Sequence, residues 1–279
     1  IQMATINAAR HFRLDHEIGS ISPGRWADII LSEKISEIKP VLVLHKGTII
    51  AREGKLASPP PNPVYPEWLY RTVKTTRGGT SQDFHLPASG EFAQVHVIEI
   101  LPDQIINKSG RASLQVSCGH VRQDVSKDIL KLAVVERHGK NGNIGISFVK
   151  GFQLQKGALS SSISHDHHNI VVVGADDESM ATCIRETEKM QGGFIVALGG
   201  KVLGRLPLPI GGLMSPEKPA KIIEALDQIN ERARSLGCNL PAPFMTLSFI
   251  SLPTVPELGL TDMGLVDVKN HQLISPFLI

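Results

Sequence analysis

The stretch Asn169-Ile170-Val171-Val172-Val173-Gly174-Ala175-Asp176-Asp177-Glu178 decides the fold class of this chain. Its unbroken run of Ile and Val predicts a buried strand from Asn169 to Val173. The acids behind it suit a helix N-terminus, where carboxylates face unpaired N–H groups and the positive end of the peptide dipoles. Gly192-Gly193 predicts the end of that helix, and Phe194–Leu198 with Lys201–Leu206 predict a hairpin around Gly199-Gly200. Strand, helix and hairpin in this order predict an α+β fold, sheet hairpins covered by about two main helices.

Toward the N-terminus, Leu130–Glu136 and Ile144–Phe152 read as strands joined by the turn-rich segment 138–143, and Gln94–Ile100 and Ala112–Val116 as two more. Toward the C-terminus, Ser215-Pro216-Glu217 predicts a helix start with Ser as N-cap and Pro in the first position. That helix is expected to reach Leu236 and stop at Gly237, with Ile222, Ile223, Leu226, Ile229 and Ala233 on one apolar stripe. From Phe244 onward the tail reads as strand-like pieces with a proline-rich ending.

The first sixty residues differ in texture. Residues 3–14 predict an amphipathic helix, and 1–16 form a unit with it. Ala27–Leu31, Val41–Leu44 and Thr48–Ala51 predict strands, the last two joined at Lys46-Gly47, in a small β-module over 17–57. Pro59, Pro60, Pro61, Pro63 and Pro66 predict an extended linker, and Arg77-Gly78-Gly79-Thr80 a second break. The linker is therefore placed at 58–81 and the second domain at 82–279.

Composition narrows the function classes. A length of 279 residues suggests about two domains. A net charge of +2 with interspersed signs argues against a nucleic-acid binder, and the longest apolar runs are too short to span a bilayer. Three scattered cysteines without a C-x-x-C exclude zinc-ribbon and thioredoxin-type sites and point to a reducing, cytoplasmic setting. The opening, Ile1 followed directly by helical periodicity, reads as a cut from a longer protein, although its arginines and lack of acid before Asp15 faintly imitate a transit peptide.

Chemistry-bearing residues concentrate in Ser160-Ser161-Ser162-Ile163-Ser164-His165-Asp166-His167-His168-Asn169. On an extended backbone His165 and His167 would point one way, Asp166 and His168 the other. Three readings stand side by side: an H-x-H pair chelating a divalent metal, a non-metal loop moving protons, and a polar loop whose histidines are satisfied by backbone groups. Glu136-Arg137-His138 either lines a pocket or forms a solvated hairpin tip. Pro207–Met214 reads as a rigid crossover or the wall of a planar-ligand site, and Thr261-Asp262 as a turn or a site. The phosphate-loop, dinucleotide and serine-elbow motifs are absent, as is the H-x-E…P-C-x-x-C pattern of zinc-dependent cytidine deaminases.

Two sets of motifs resemble one family. The segment from Ala4 through Gly19-Ser20-Ile21-Ser22-Pro23-Gly24-Arg25-Trp26-Ala27-Asp28 resembles the exit from the last barrel helix of amidohydrolases into their small β-sandwich. Val135–His138, Gly151-Phe152, Ser162–Asn169, Leu206–Ser215, Pro243–Phe249 and Leu260–Val266 are similar, in order and spacing, to the C-terminal domain of bacterial adenine deaminases. The resemblance implies hydrolysis of adenine to hypoxanthine and ammonia in purine salvage, with water activated by Mn or Fe in a (β/α)8 barrel. It also implies that the metal-binding barrel residues precede residue 1, so no metal ligand is expected in this chain, which alone would be inactive. Within the family pattern His167 falls on a variable position. His165 and Asp166 become candidates for a supporting catalytic role, and His168, Asn169, Glu136 and Arg137 for substrate contact. The complete enzyme is expected to be a homo-oligomer acting on adenine, with neither nucleic acid nor membrane as partner. The alternative is a self-contained purine-binding or assembly module, whose surfaces should then be polar; a separate metallohydrolase built on His165 and His167 is a third.

Overall fold

Alternation at a period of two explains why the longest apolar runs are uninterrupted. In the computed structural model, which describes residues 1–58, 61, 63–102 and 104–278, Val171 and Val173 sit in one buried cluster while Ile170 and Val172 sit in another. Successive side chains of a strand leave opposite faces, so a strand covered on both sides needs apolar residues throughout.

The chain divides into two compact units, Ile1–Pro63 and Val64–Ile279. The boundary precedes the expected one near residue 82, because the intervening segment is hydrogen-bonded into the second unit. Lys74 N donates to Arg137 O, and Thr75 to the carboxylate of Glu188. Pro59 and Pro60 of the expected linker lie outside the described residues.

Among its described residues the first unit holds a short 3-10 turn (Gln2–Ala4), one α-helix, α1 (Ile6–His11), and four strands: β1 (Ile29–Ser32), β2 (Pro40–His45), β3 (Thr48–Arg52) and β4 (Lys55–Leu56). α1 is shorter than the sequence predicts. Thr5 sits at φ −135°, ψ −103°, outside helical space, and Arg13 takes a left-handed φ of 58° that closes the far end. The strands form a single antiparallel sheet in the order β1-β2-β3-β4, so these residues make one layer rather than the two of a sandwich. Lys46 and Gly47 both have positive φ, 49° and 80°, the geometry whose twist matches antiparallel strands. Ala27 O and Asp28 Oδ1 accept the N–H groups of Gly47 and Lys46 at 3.0 and 2.7 Å, which ties the Ala-Asp pair to this turn.

The second unit contains β5 (Phe92–Ile100), β6 (Asn107–Ser117), β7 (His120–Val121), β8 (Ile129–Val135), β9 (Ile144–Lys150), β10 (Ala158–Ser161), β11 (Ile170–Gly174), α2 (Asp177–Lys189), β12 (Gly193–Leu198), β13 (Lys201–Pro207), α3 (Pro219–Ser235), α4 (Pro243–Ile250), β14 (Leu258–Thr261), β15 (Gly264–Asp267) and β16 (Gln272–Ile274). Nine strands form one sheet in the order β13-β12-β10-β11-β8-β9-β5-β6-β7, and β14, β15 and β16 form a second. Met180, Ala181, Cys183 and Ile184 of α2 cover one face of the large sheet; Ile229 and Ala233 of α3 and Phe244, Leu247 and Ile250 of α4 pack in the cluster on the other. This is the α+β architecture expected from the sequence.

Three local expectations fail for identifiable reasons. The long helix starts at Pro219, not Pro216. The proline holds its predecessor Lys218 in an extended conformation, ψ 142°, so no helix can run through it. Its buried residues are Ile229 and Ala233, whereas Ile223 is 61% exposed. The tail opens with the helix α4, begun by Pro243 at the first position; its sequence, apolar on all sides, carries no helical period to read. Finally, Ala158–Ser161 is a central strand, fully buried although half of it is serine. Among the described residues no helix is long and apolar enough to cross a membrane.

Candidate functional site

The site is assembled where four connections meet: the end of β8, the segment leading into β11, the glycine turn after β13 and the C-terminal end of α4. The segment 165–167 is a turn rather than an extended strand. His168 N donates to Ser164 O at 2.7 Å, and His168 itself adopts a left-handed φ of 50°. The expected alternation of His165 and His167 against Asp166 and His168 therefore does not arise.

α4 holds this turn. His165 N donates to Ser248 O at 3.2 Å, and the His165 ring lies 4.7 Å from that of Phe249. The hydroxyls of Ser164 and Ser251, both fully buried, are 2.6 Å apart. His167 Nδ1 accepts the Asn169 N–H at 3.1 Å, and its Nε2 lies 3.3 Å from Ser251 O. Both ring nitrogens are thus engaged within the protein. Burial lowers the His167 pKa, outweighing the Ser251 carbonyl and the Asp262 carboxylate, which favour the charged form.

Asn169 joins the turn to two more elements. Its Oδ1 accepts the Arg137 N–H at 3.3 Å, and its Nδ2 donates to Asp262 Oδ1 at 3.0 Å. Arg137 is 2% exposed and pairs with no carboxylate among the described residues. Its guanidinium donates instead to the carbonyls of His168 and Gly211. Burial pushes its pKa down to about 10, so it stays charged at neutral pH. A Cβ at Gly212 would meet Arg137 Nη1 at 2.2 Å, which explains glycine at this approach, where φ is also +74°.

Glu136 faces inward to its own loop. Its carboxylate accepts the N–H groups of His138, Lys140, Asn141 and Gly142. Burial acts to raise its pKa, but these four donors prevail and hold it below the usual carboxylate range. His138 Nε2 lies 2.9 Å from His167 O. His168 is kept toward the neutral form by burial, by Arg137 and by His165; its Nδ1 is buried with no partner among the described residues.

The structure thus brings His165, His168, Asn169, Arg137 and His138 together, leaves Asp166 exposed at the tip of the turn, and gives Glu136 a loop-anchoring geometry. Sequence reasoning placed Ser164 and Phe249 inside motifs without giving them a role and did not reach Ser251, whose partners Ser164 and His167 lie far along the chain. Asp262, weighed as turn or site, is here a hydrogen-bond partner of Asn169. Among the described residues, no three His, Cys, Asp or Glu side chains converge in a way that fits a metal ion.

A family model described as "Adenine deaminase C-terminal domain" matches residues 104–272. The chain belongs to the adenine deaminase C-terminal domain family. A model of the amidohydrolase family matches residues 1–61. A protein named adenine deaminase from Desulforamulus reducens is 53% identical over 98% of this chain. Adenine deaminases of Dehalococcoides mccartyi and Methanococcoides burtonii are 39% and 41% identical over 98% and 99% of it. The chain spans about half of these adenine deaminases, 47%, 47% and 46% of their lengths.

Proposed function

We propose that this chain is the C-terminal half of an adenine deaminase, which hydrolyses adenine to hypoxanthine and ammonia in purine salvage in the cytoplasm. The observation that carries this reading is the 53% identity to an adenine deaminase over nearly the whole chain. In this reading α1 is the remnant of a terminal barrel helix, and the complete enzyme is a homo-oligomer. In this reading the Mn or Fe implied by the amidohydrolase relationship is held by barrel residues of the complete enzyme. The chain alone is then inactive.

Its own contribution is the turn 165–169. His165 and Asp166 support proton movement and His168 contacts the substrate, while Asn169, its amide taken by Arg137 and Asp262, braces the turn. His168 as a whole is half-buried, so part of its ring stays open to the surface. Arg137 holds the turn from behind, and Glu136 fixes the loop beside it.

The surface favours a half-enzyme over a self-contained purine-binding or assembly module. Within the described residues 1–63, Ala9 is the single buried hydrophobic residue, while Trp26, Ile30, Leu31, Ile35, Ile38 and Leu56 are exposed. A free-standing module would present polar faces there. The test is conversion of adenine to hypoxanthine by the purified chain with Mn(II) or Fe(II) added, alongside metal analysis, and by a protein carrying the preceding half as well. Turnover only in the longer protein is the expected result. Metal-dependent turnover by the chain itself would overturn the proposed division of labour.

A further inference from the structure

Outside the candidate site, one cluster of titratable groups lies at the other end of a single segment. Residues 69–88 form a strap across the second unit. At its start, Leu69 O accepts the Gly211 N–H and Lys74 N donates to Arg137 O, both at 2.8 Å. In the middle, Val73 and Thr75 bond to the side chains of Gln191 and Glu188. At its end, Phe84 is fully buried, Val121 N donates to Leu86 O at 2.9 Å and Ala88 N to Gly119 O at 3.0 Å.

The far end is closed by two histidines. The His85 ring lies on the His120 ring with centroids 4.1 Å apart and planes tilted by 33°. Asp177, Lys131 and Arg122 are the charged groups that act on His85. Asp177 of α2 has Oδ2 3.9 Å from His85 Nε2, but its Oδ1 is already bonded at 2.5 Å to Lys131 of β8, which is fully buried. Arg122, just beyond β7, adds a further positive charge. One carboxylate thus faces two cations and two imidazoles. His120 Nδ1 is buried with no hydrogen-bond partner among the described residues.

We propose that the His85–His120 stack is a proton-sensitive clasp: a proton taken up by the stack opens the pairing of 86–88 with 119–121 and loosens the strap's hold on Arg137 and the Gly211 turn. That proton meets the cations Lys131 and Arg122, and the nearby carboxylate of Asp177 is already bonded to Lys131. The direction of the His85 shift agrees. Burial first, then His120, outweigh Asp177 and lower its pKa. A histidine with a depressed folded-state pKa stabilises the closed form above the ordinary value of about 6.5, and that stability is lost as pH falls through the lower one. Any consequence for adenine turnover rests on the function proposed above; the opening itself does not.

The test is amide hydrogen exchange of the chain at pH 7.5 and 5.5, corrected for intrinsic exchange, with β8 as internal reference. The amides of Ala88 and Val121, which close the pairing, are expected to lose protection relative to β8 by up to about tenfold per pH unit, the limit for one linked proton. His85→Phe keeps a ring in the stack but cannot be charged, so it should be protected at both pH values; His120→Phe gives the same test should His85→Phe fail to fold. Equal protection of the clasp at both pH values in the wild type overturns the proposal, as does an acid effect that survives in either folded variant.

Discussion

Asn169 donates to Asp262 across 93 residues of sequence, Nδ2 to Oδ1 at 3.0 Å, while its own Oδ1 accepts the buried N–H of Arg137. One amide side chain therefore satisfies a backbone donor and locks the turn before β11 to the turn after β14. Asn169→Ala should cost about 1–3 kcal/mol in urea unfolding, the usual cost of leaving a buried donor unpaired. Asn169→Asp sets two carboxylates against each other and should also destabilise at neutral pH. Adding Asp262→Asn restores a donor–acceptor pair, so the double variant should recover part of the loss. Strictly additive losses would show that the two side chains are not coupled.

The glycine pair beside Arg137 separates two kinds of cost. Gly211 and Gly212 both have positive φ, 66° and 74°, but only at Gly212 would a Cβ collide, with Arg137 Nη1. Gly211→Ala should lose about 1 kcal/mol from the left-handed backbone alone. Gly212→Ala should lose more, about 1–3 kcal/mol, with the Arg137 guanidinium displaced from its carbonyls. Equal losses in thermal unfolding would place Arg137 elsewhere in solution.

How much of this was legible beforehand follows from how local each signal is. β11 and β12 are readable because covered faces force continuous apolar runs, the edge strand β13 because Gly199-Gly200 marks its hairpin, and α2 because its acidic start is written in three consecutive residues. β10 escaped because Ser160 and Ser161 are polar in sequence yet buried, Ser160 sharing a 3.0 Å hydrogen bond with Thr187 of α2. α4 escaped because a helix apolar on every side has no period. The same helix makes the site: Ser248, Phe249 and Ser251 hold His165, Ser164 and His167. Histidines can be found by eye, but Ser251, whose carbonyl meets His167 and whose hydroxyl meets Ser164, lies 84 and 87 residues away from them.

Glu136 gives a pH prediction with a defined sign. Its folded-state pKa is lowered, since four backbone donors outweigh burial. The unfolded chain then binds its proton more readily, so the stabilisation is present above the ordinary value of about 4.3 and is lost as pH falls through the lower folded value. Glu136→Gln should be destabilised near pH 7, and its deficit against the wild type should shrink between about pH 5 and pH 3. A deficit that stays constant across that range would mean the carboxylate charge is not what the loop requires.

The first unit makes the last prediction. The four-stranded sheet buries no hydrophobic residue among its described residues, and Ala9 of α1 is the one buried beside it, so the unit has no core of its own. Ile30 and Leu31 of β1 are 57% and 47% exposed, and Ile49 and Ile50 of β3 are 38% and 40% exposed; neighbours along a strand leave opposite faces, so both faces of the sheet carry apolar side chains. Such surface favours association over solvation. The purified chain should therefore shift toward larger species as concentration rises in size-exclusion chromatography, and bind an environment-sensitive apolar dye. Ile30→Lys with Ile49→Lys should reduce both effects without changing the unfolding of the second unit. In a protein that carries the preceding half, the same lysines should instead lower stability, because faces that are open here would be covered there. Concentration-independent monomers of the unmodified chain would show that the exposed residues do not drive association, and would return weight to a self-contained module.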